Sequence, residues 1–124
     1  MRFLKLMVVI AVCVLGTSLL LSAKQNQYGV ADSRQITFDT PMRVGDVLLP
    51  SGEYQVLHTM DGDMHVMVFK QLKTKNPSEA KIKCQIVPLQ AKADQTQKTY
   101  IVNASNERVL QTLVFRGDTA KHVF

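Results

Sequence analysis

The chain has 124 residues, 46% of them apolar and 20% charged, with 15 Lys and Arg against 10 Asp and Glu. That length holds one small domain with one core and has no room for a second. The formal charge of +5 belongs mostly to the first residues: beyond residue 31, 12 cations face 10 acids. A net charge that small gives no reason to invoke nucleic acid, whose binding domains carry basic stripes on a recognisable motif, and no nucleic-acid partner is expected.

Two cations, Arg2 and Lys5, precede an uncharged apolar run from Leu6 to Ala23. This is the pattern of an N-terminal hydrophobic signal or anchor helix, and it predicts that the rest of the chain faces an extracytoplasmic compartment, periplasmic or secreted. Gly16, Thr17 and Ser18 interrupt the run and leave a signal-like core from Leu6 to Leu15. Gly29-Val30-Ala31 offers small residues at the two positions a signal peptidase reads, whereas Leu21-Ser22-Ala23 puts a bulky Leu there. The favoured division is therefore a leader over 1–31 and a single β domain over 32–124. An uncleaved inner-membrane anchor through residues 6–23 is the alternative. In either case the membrane is met only through the N-terminal segment. Cys13 lies in the leader and is preceded by Val12, which does not suit a lipoprotein.

From residue 35 onward the hydrophobic period is two, with Gly, Pro, Asn and Asp clusters between β-branched and aromatic runs. Ile36, Phe38 and Met42 form the first run, and Val47 to Leu49 a short second one. Glu53 to Thr59 and Met64 to Leu72 follow as a pair. Lys81 to Val87 alternates until Pro88, and residues 89–97 read as a loop in which 91–94 supports at most one helical turn. Lys98 to Val102, Val109 to Arg116 and Ala120 to Phe124 complete the set, with Gly117-Asp118 turning between the last two. The fold class predicted is all-β, a small antiparallel barrel or sandwich of about 7–8 short strands.

Asp61-Gly62 predicts a tight two-residue hairpin turn. With those two residues central, Glu53 faces Lys70, Tyr54 faces Phe69, Val56 faces Met67 and His58 faces His65. One face then carries Tyr54, Val56, Met67 and Phe69 inward.

The segment from Val44 to Val56, Val-Gly-Asp-Val-Leu-Leu-Pro-Ser-Gly-Glu-Tyr-Gln-Val, resembles a motif of small secreted, largely uncharacterised bacterial proteins of the acidobacterial type. In these a short strand ends in Leu-Pro-Ala-Gly and leads into a Tyr-containing strand; here Ser51 replaces Ala. The likeness extends more loosely to Phe115-Arg116-Gly117 and His122-Val123-Phe124. It implies a β architecture and export, and it carries no activity and no functional residues.

The sharpest chemical signal is the hairpin's His58 and His65 with Met67, since imidazole and thioether donors together suit copper, above all Cu(I). Met64 points to the other face under this register, so a further ligand such as His122 is needed. Against the metal reading stand two rim histidines stacked beside a turn, with methionines filling gaps. Cys84 alternates with polar neighbours on the apolar face of a strand and reads as a buried, inert thiol; as the lone cysteine beyond the leader it has no internal partner.

Asp61 and Asp63 read as turn residues, because a calcium loop needs further ligands and a Glu near its end. Arg116-Gly117-Asp118 spells an adhesion tripeptide, but Gly-Asp between two strands is also what a hairpin turn wants, and the turn reading is preferred. Asn103-Ala104-Ser105 matches a glycosylation acceptor that only a eukaryotic pathway would use. Lys70, Lys73, Lys75, Lys81 and Lys83 surround Glu79 and read as a solvated loop that guards strand ends, with an anionic surface as the rival interpretation. No catalytic motif stands out. Three function classes follow: a noncatalytic envelope module that binds a protein, glycan or envelope surface; copper binding through the His/Met hairpin; and a small hydrolase without a recognisable motif.

Overall fold

The structure, a computed structural model, describes residues 27–124; the predicted leader helix and residues 6–23 lie outside the described residues. The described part is all-β. Its strands are β1 (Ser33–Phe38), β2 (Met42–Val44), β3 (Val47–Leu49), β4 (Gly52–Asp61), β5 (Met64–Gln71), β6 (Glu79–Pro88), β7 (Gln97–Val102), β8 (Arg108–Val114) and β9 (Ala120–Val123). There are nine strands rather than 7–8 because the first apolar run divides at Asp39-Thr40-Pro41. Pro41 lacks an N–H for a ladder and fixes its own φ, so the chain turns there and Met42 starts a new strand.

The nine strands form one open sheet in the order β1-β4-β5-β6-β9-β8-β2-β3, with β7 paired to β8 off this path. Pairing is antiparallel except between β2 and β8, where Met42 and Arg43 run parallel to Arg108 and Val109. The wholly antiparallel expectation fails at that junction. β6 is the strand common to both halves: Glu79 to Cys84 pair with β5, and Gln85 to Pro88 pair with β9. Phe38, Tyr54 and Phe69 from one half and Met42, Leu49, Leu110 and Leu113 from the other share one buried cluster. The sheet therefore folds over on itself and encloses its core.

The β4–β5 hairpin forms, but its register differs from the predicted one. Asp61 pairs with Met64, so Gly62 and Asp63 are the two loop residues. Gly62 has φ +61° and Asp63 does not have positive φ, the pattern of a turn with glycine first. Moving the turn centre by one residue shifts each partner by two: Tyr54 faces Gln71, Val56 faces Phe69, and His58 faces Met67. A shift of two preserves the side-chain faces, so Tyr54, Val56, Met67 and Phe69 are still buried. The expected Glu53–Lys70 pair is not made, and Glu53 instead meets Lys73 at 2.8 Å. Tyr54 and Phe69 are joined through Phe38, whose ring centre lies 5.4 Å from the first and 6.2 Å from the second.

The Pro-Ser-Gly-Glu-Tyr segment closes on itself, because the Tyr54 hydroxyl donates to the Pro50 carbonyl at 2.6 Å. Gly52 between them has φ +151°, and a Cβ there would come within 3.0 Å of the Gln71 amide. Residues 28–31, on the leader side of the predicted boundary, are built into the domain. Val30 is fully buried, Thr119 N–H donates to the Gly29 carbonyl at 2.9 Å, and Arg34 pairs with the buried Asp118.

Candidate functional site

Alternation along four strands brings the chain's three histidines and Cys84 to one end of the enclosed face. His58 follows Tyr54 and Val56 inward on β4, and His65 precedes Met67 and Phe69 on β5. Cys84 lies directly across from His65 on β6, and His122 lies across from Ile86 on β9. His58 and His65, predicted to be opposite, are diagonal neighbours in the observed register, within reach for long or aromatic side chains. Their rings still meet, with His58 Nε2 3.0 Å from His65 Nδ1, one nitrogen donating and the other accepting.

The His58 ring centre lies 5.1 Å from that of His65 and 5.7 Å from that of His122. Tyr28 sets its ring edge-on to His65 at 4.6 Å, and Phe115 meets His122 at 6.2 Å. The Cys84 Sγ is 3.9 Å from His122 Nδ1. Among the described residues, no three His, Cys, Asp or Glu side chains share a ready metal-binding point. What the structure supplies is two couples, imidazole with imidazole and thiol with imidazole, with His58 between them.

Burial sets the electrostatics. His122 is 1% exposed; burial, reinforced by the charges of His58 and His65, pulls its pKa down to about 4. His58 is lowered by burial and by His65, with Asp32 opposing. The Cys84 thiol is pushed up to about 11 by burial. Both members of the thiol–imidazole couple are thus held neutral near pH 7, with the proton on sulfur. That disfavours a Cys–His nucleophile, which needs thiolate beside imidazolium.

Cys84 nonetheless borders two surface clefts. One, of about 430 Å³, is lined by Asp63, Met64, His65 and Cys84; the other, of about 300 Å³, by Met64, Cys84 and Phe124. Met67 is buried across from His58, whereas Met60 and Met64 are exposed. Cys84 was legible as an inward residue, but nothing in the sequence identifies which strand β6 pairs with or at what register. Its meeting with His65 and His122 therefore had no local signal.

The remaining motifs have structural roles. Asp118 is fully buried, so Arg116-Gly117-Asp118 is not displayed as an adhesion tripeptide. Asn103 organises the β7–β8 turn, its side-chain oxygen accepting from Ser105 N–H and Glu107 N–H. Glu107 takes a two-pronged bond from Arg43 at 3.0 and 2.9 Å, and that guanidinium holds its carboxyl down at about 2. Asp61 and Asp63 are exposed at the hairpin tip. Lys73 leaves the lysine cluster to pair with Glu53.

Strand β7 differs from the other strands in its exposure: five of its six residues are exposed, including Tyr100, Ile101 and Val102. It pairs only with β8, and Arg108 lies 4.7 Å over the Tyr100 ring. Among the described residues no helix is long and apolar enough to cross a membrane. Compared with family models, curated proteins and solved structures, the chain matches none.

Proposed function

We propose that the chain is an exported, noncatalytic envelope module that binds a protein partner by adding that partner's extended strand to the free edge of β7. The observation that carries this reading is the combination of an edge with exposed apolar side chains. Ile101 is 56% and Val102 57% exposed, on alternate faces of the strand. An added strand would gain main-chain hydrogen bonds from the edge and side-chain contacts on both faces. The other terminal strands lack this pairing of features. β1 carries the polar Ser33, Gln35 and Thr37 outward, and β3 is only three residues long, a length that discourages edge pairing. Export rests on the N-terminal cations and apolar run, and the resemblance of residues 44–56 to small secreted bacterial β proteins points the same way. On this reading the folded-over sheet is a small sandwich that presents β7 as its working edge.

The test combines association with substitution. Captured partners from envelope fractions should be lost on the double change Ile101→Lys and Val102→Lys and retained by Val47→Lys on β3. Capture that ignores the β7 substitutions, or a protein that recovers nothing at all, would reject the proposal.

A further inference from the structure

We propose that the extended segment received by β7 carries a carboxylate, which docks on the guanidinium of Arg108 where that group lies over the Tyr100 ring. The inference rests on the β7 reading and deepens it, because main-chain pairing alone does not select one extended segment over another.

β7 is an unbroken template. Thr99 faces Thr112 and Tyr100 faces Leu110, so the extra residue of the irregular step is Gln111 and belongs to β8. Side chains alternate along the free strand, with Thr99 and Ile101 on one face and Tyr100 and Val102 on the other. The two faces differ in chemistry. Ile101 lies across from Val109, and the Thr99 hydroxyl is bonded to that of Thr112 at 2.5 Å, so this face offers apolar contact and no charge. On the other face Val102 lies across from Arg108, whose guanidinium reaches over Tyr100 to 4.7 Å from the ring centre.

The cation there is uncompensated. Among the described residues the ion pairs are Arg34–Asp118, Arg43–Glu107 and Lys73–Glu53, and none involves Arg108. The neighbouring Glu107 carboxylate is committed to the two-pronged bond from Arg43 and to the Asn103 amide, which donates at 3.0 Å. β7 itself has no acidic residue and adds a second cation, Lys98. A stacked guanidinium spends its flat face on the ring and keeps its in-plane N–H donors for an acceptor, and a carboxylate matches that fork with two parallel bonds. Arg108 also borders a cleft of about 260 Å³ walled by Pro41 and Leu48, apolar neighbours beside which an ion pair is screened less than in open solvent.

The reach is suitable. An added strand runs about 4.8 Å from β7, so its residue opposite Tyr100 or Val102 brings a carboxylate to the guanidinium. The residues on either side of that one point to the opposite face and meet Thr99 and Ile101. The recognised segment is therefore an acid flanked by β-branched apolar residues, the carboxylate coming from a side chain or from the end of a chain.

The experiment titrates the isotope-labelled full chain, in nonionic detergent, with three peptides at up to millimolar concentration and follows the backbone amides of β7 by NMR. The probes are acetyl-Thr-Val-Glu-Val-Thr-amide, its Gln counterpart, and acetyl-Thr-Val-Thr-Val with a free C-terminal carboxylate. The Glu peptide should shift the amides from Thr99 to Val102 and bind about tenfold more tightly than the Gln peptide, with the advantage shrinking as salt is added. Arg108→Gln, at an exposed position, should erase that advantage and leave the amides of β4 and β5 in place. Tighter binding of the third peptide than of the first assigns the carboxylate to a chain end, and the reverse order to a side chain. Equal binding of the Glu and Gln peptides at β7 would overturn this inference and leave the β7 reading standing, as would a Glu advantage that survives Arg108→Gln. Failure of all three peptides to move the β7 amides would overturn both.

Discussion

The two ends of the enclosed face are made by the same strands and behave oppositely. At one end β4 and β5 contribute Tyr54 and Phe69, which pack with Phe38, Met42 and Leu49 into a dry cluster. At the other end the same strands contribute His58 and His65, which meet His122 and Cys84 beside open clefts. A period of two directs both sets inward, but only the chemistry of the side chain decides whether burial stabilises or desolvates a polar group. The aromatic end holds the fold, and the imidazole end holds polar groups that burial keeps neutral.

The largest expected effect lies at the aromatic end. Phe69→Ala removes a fully buried ring that contacts both Phe38 and Phe124 and should cost about 3 to 5 kcal/mol in denaturant unfolding. A loss below about 1 kcal/mol would show that the aromatic end is not the keystone. Acid should act at the opposite end. The folded-state pKa of His122 lies at about 4, below the unfolded value near 6.5. The stabilising difference is therefore present above pH 6.5 and is lost as pH falls toward 4. The protein should lose on the order of 3 kcal/mol over that interval, and His122→Phe should flatten the dependence. A Tm independent of pH between 6.5 and 4 would contradict this assignment.

The N-terminal boundary comes next in size. A chain starting at Asp32 loses the buried Val30 and the Thr119–Gly29 bond. It should be about 1.5 to 3 kcal/mol less stable than one starting at Gln25. Equal stability would mean that residues 28–31 are not part of the working domain. The smallest effect is at the hairpin tip. Gly62 has φ +61° and no atom within 4 Å of a built Cβ, so Gly62→Ala should cost about 1 kcal/mol through backbone strain alone. A neutral result there would show that residue 62 is not held in the left-handed conformation.

The sequence made the local elements legible and left their assembly obscure. Alternation from Ile36 to Phe38, Tyr54 to Val56 and Ile82 to Cys84 identified strands and inward residues, because the period of two is a property of each strand alone. Pro41 marked a break that the apolar run of Ile36, Phe38 and Met42 concealed. The hairpin register failed by one residue at its turn: Asp61-Gly62 and Gly62-Asp63 both contain the required glycine, and only φ tells them apart. The site was half legible. His58 and His65 share a hairpin, so their proximity followed from local pairing. Cys84 and His122 joined them through β5–β6 and β6–β9 pairings across 38 residues, for which no short-range pattern exists.

Everything proposed for the imidazole end depends on the register of the central hairpin and on β9 lying beside β6. Nuclear Overhauser contacts across these strands test both at once. The account predicts backbone contacts of His58 with Met67 and of Ile86 with His122, together with ring contacts among His58, His65 and His122. Backbone contacts of His58 directly with His65, or a His122 ring remote from both other imidazoles, would contradict it.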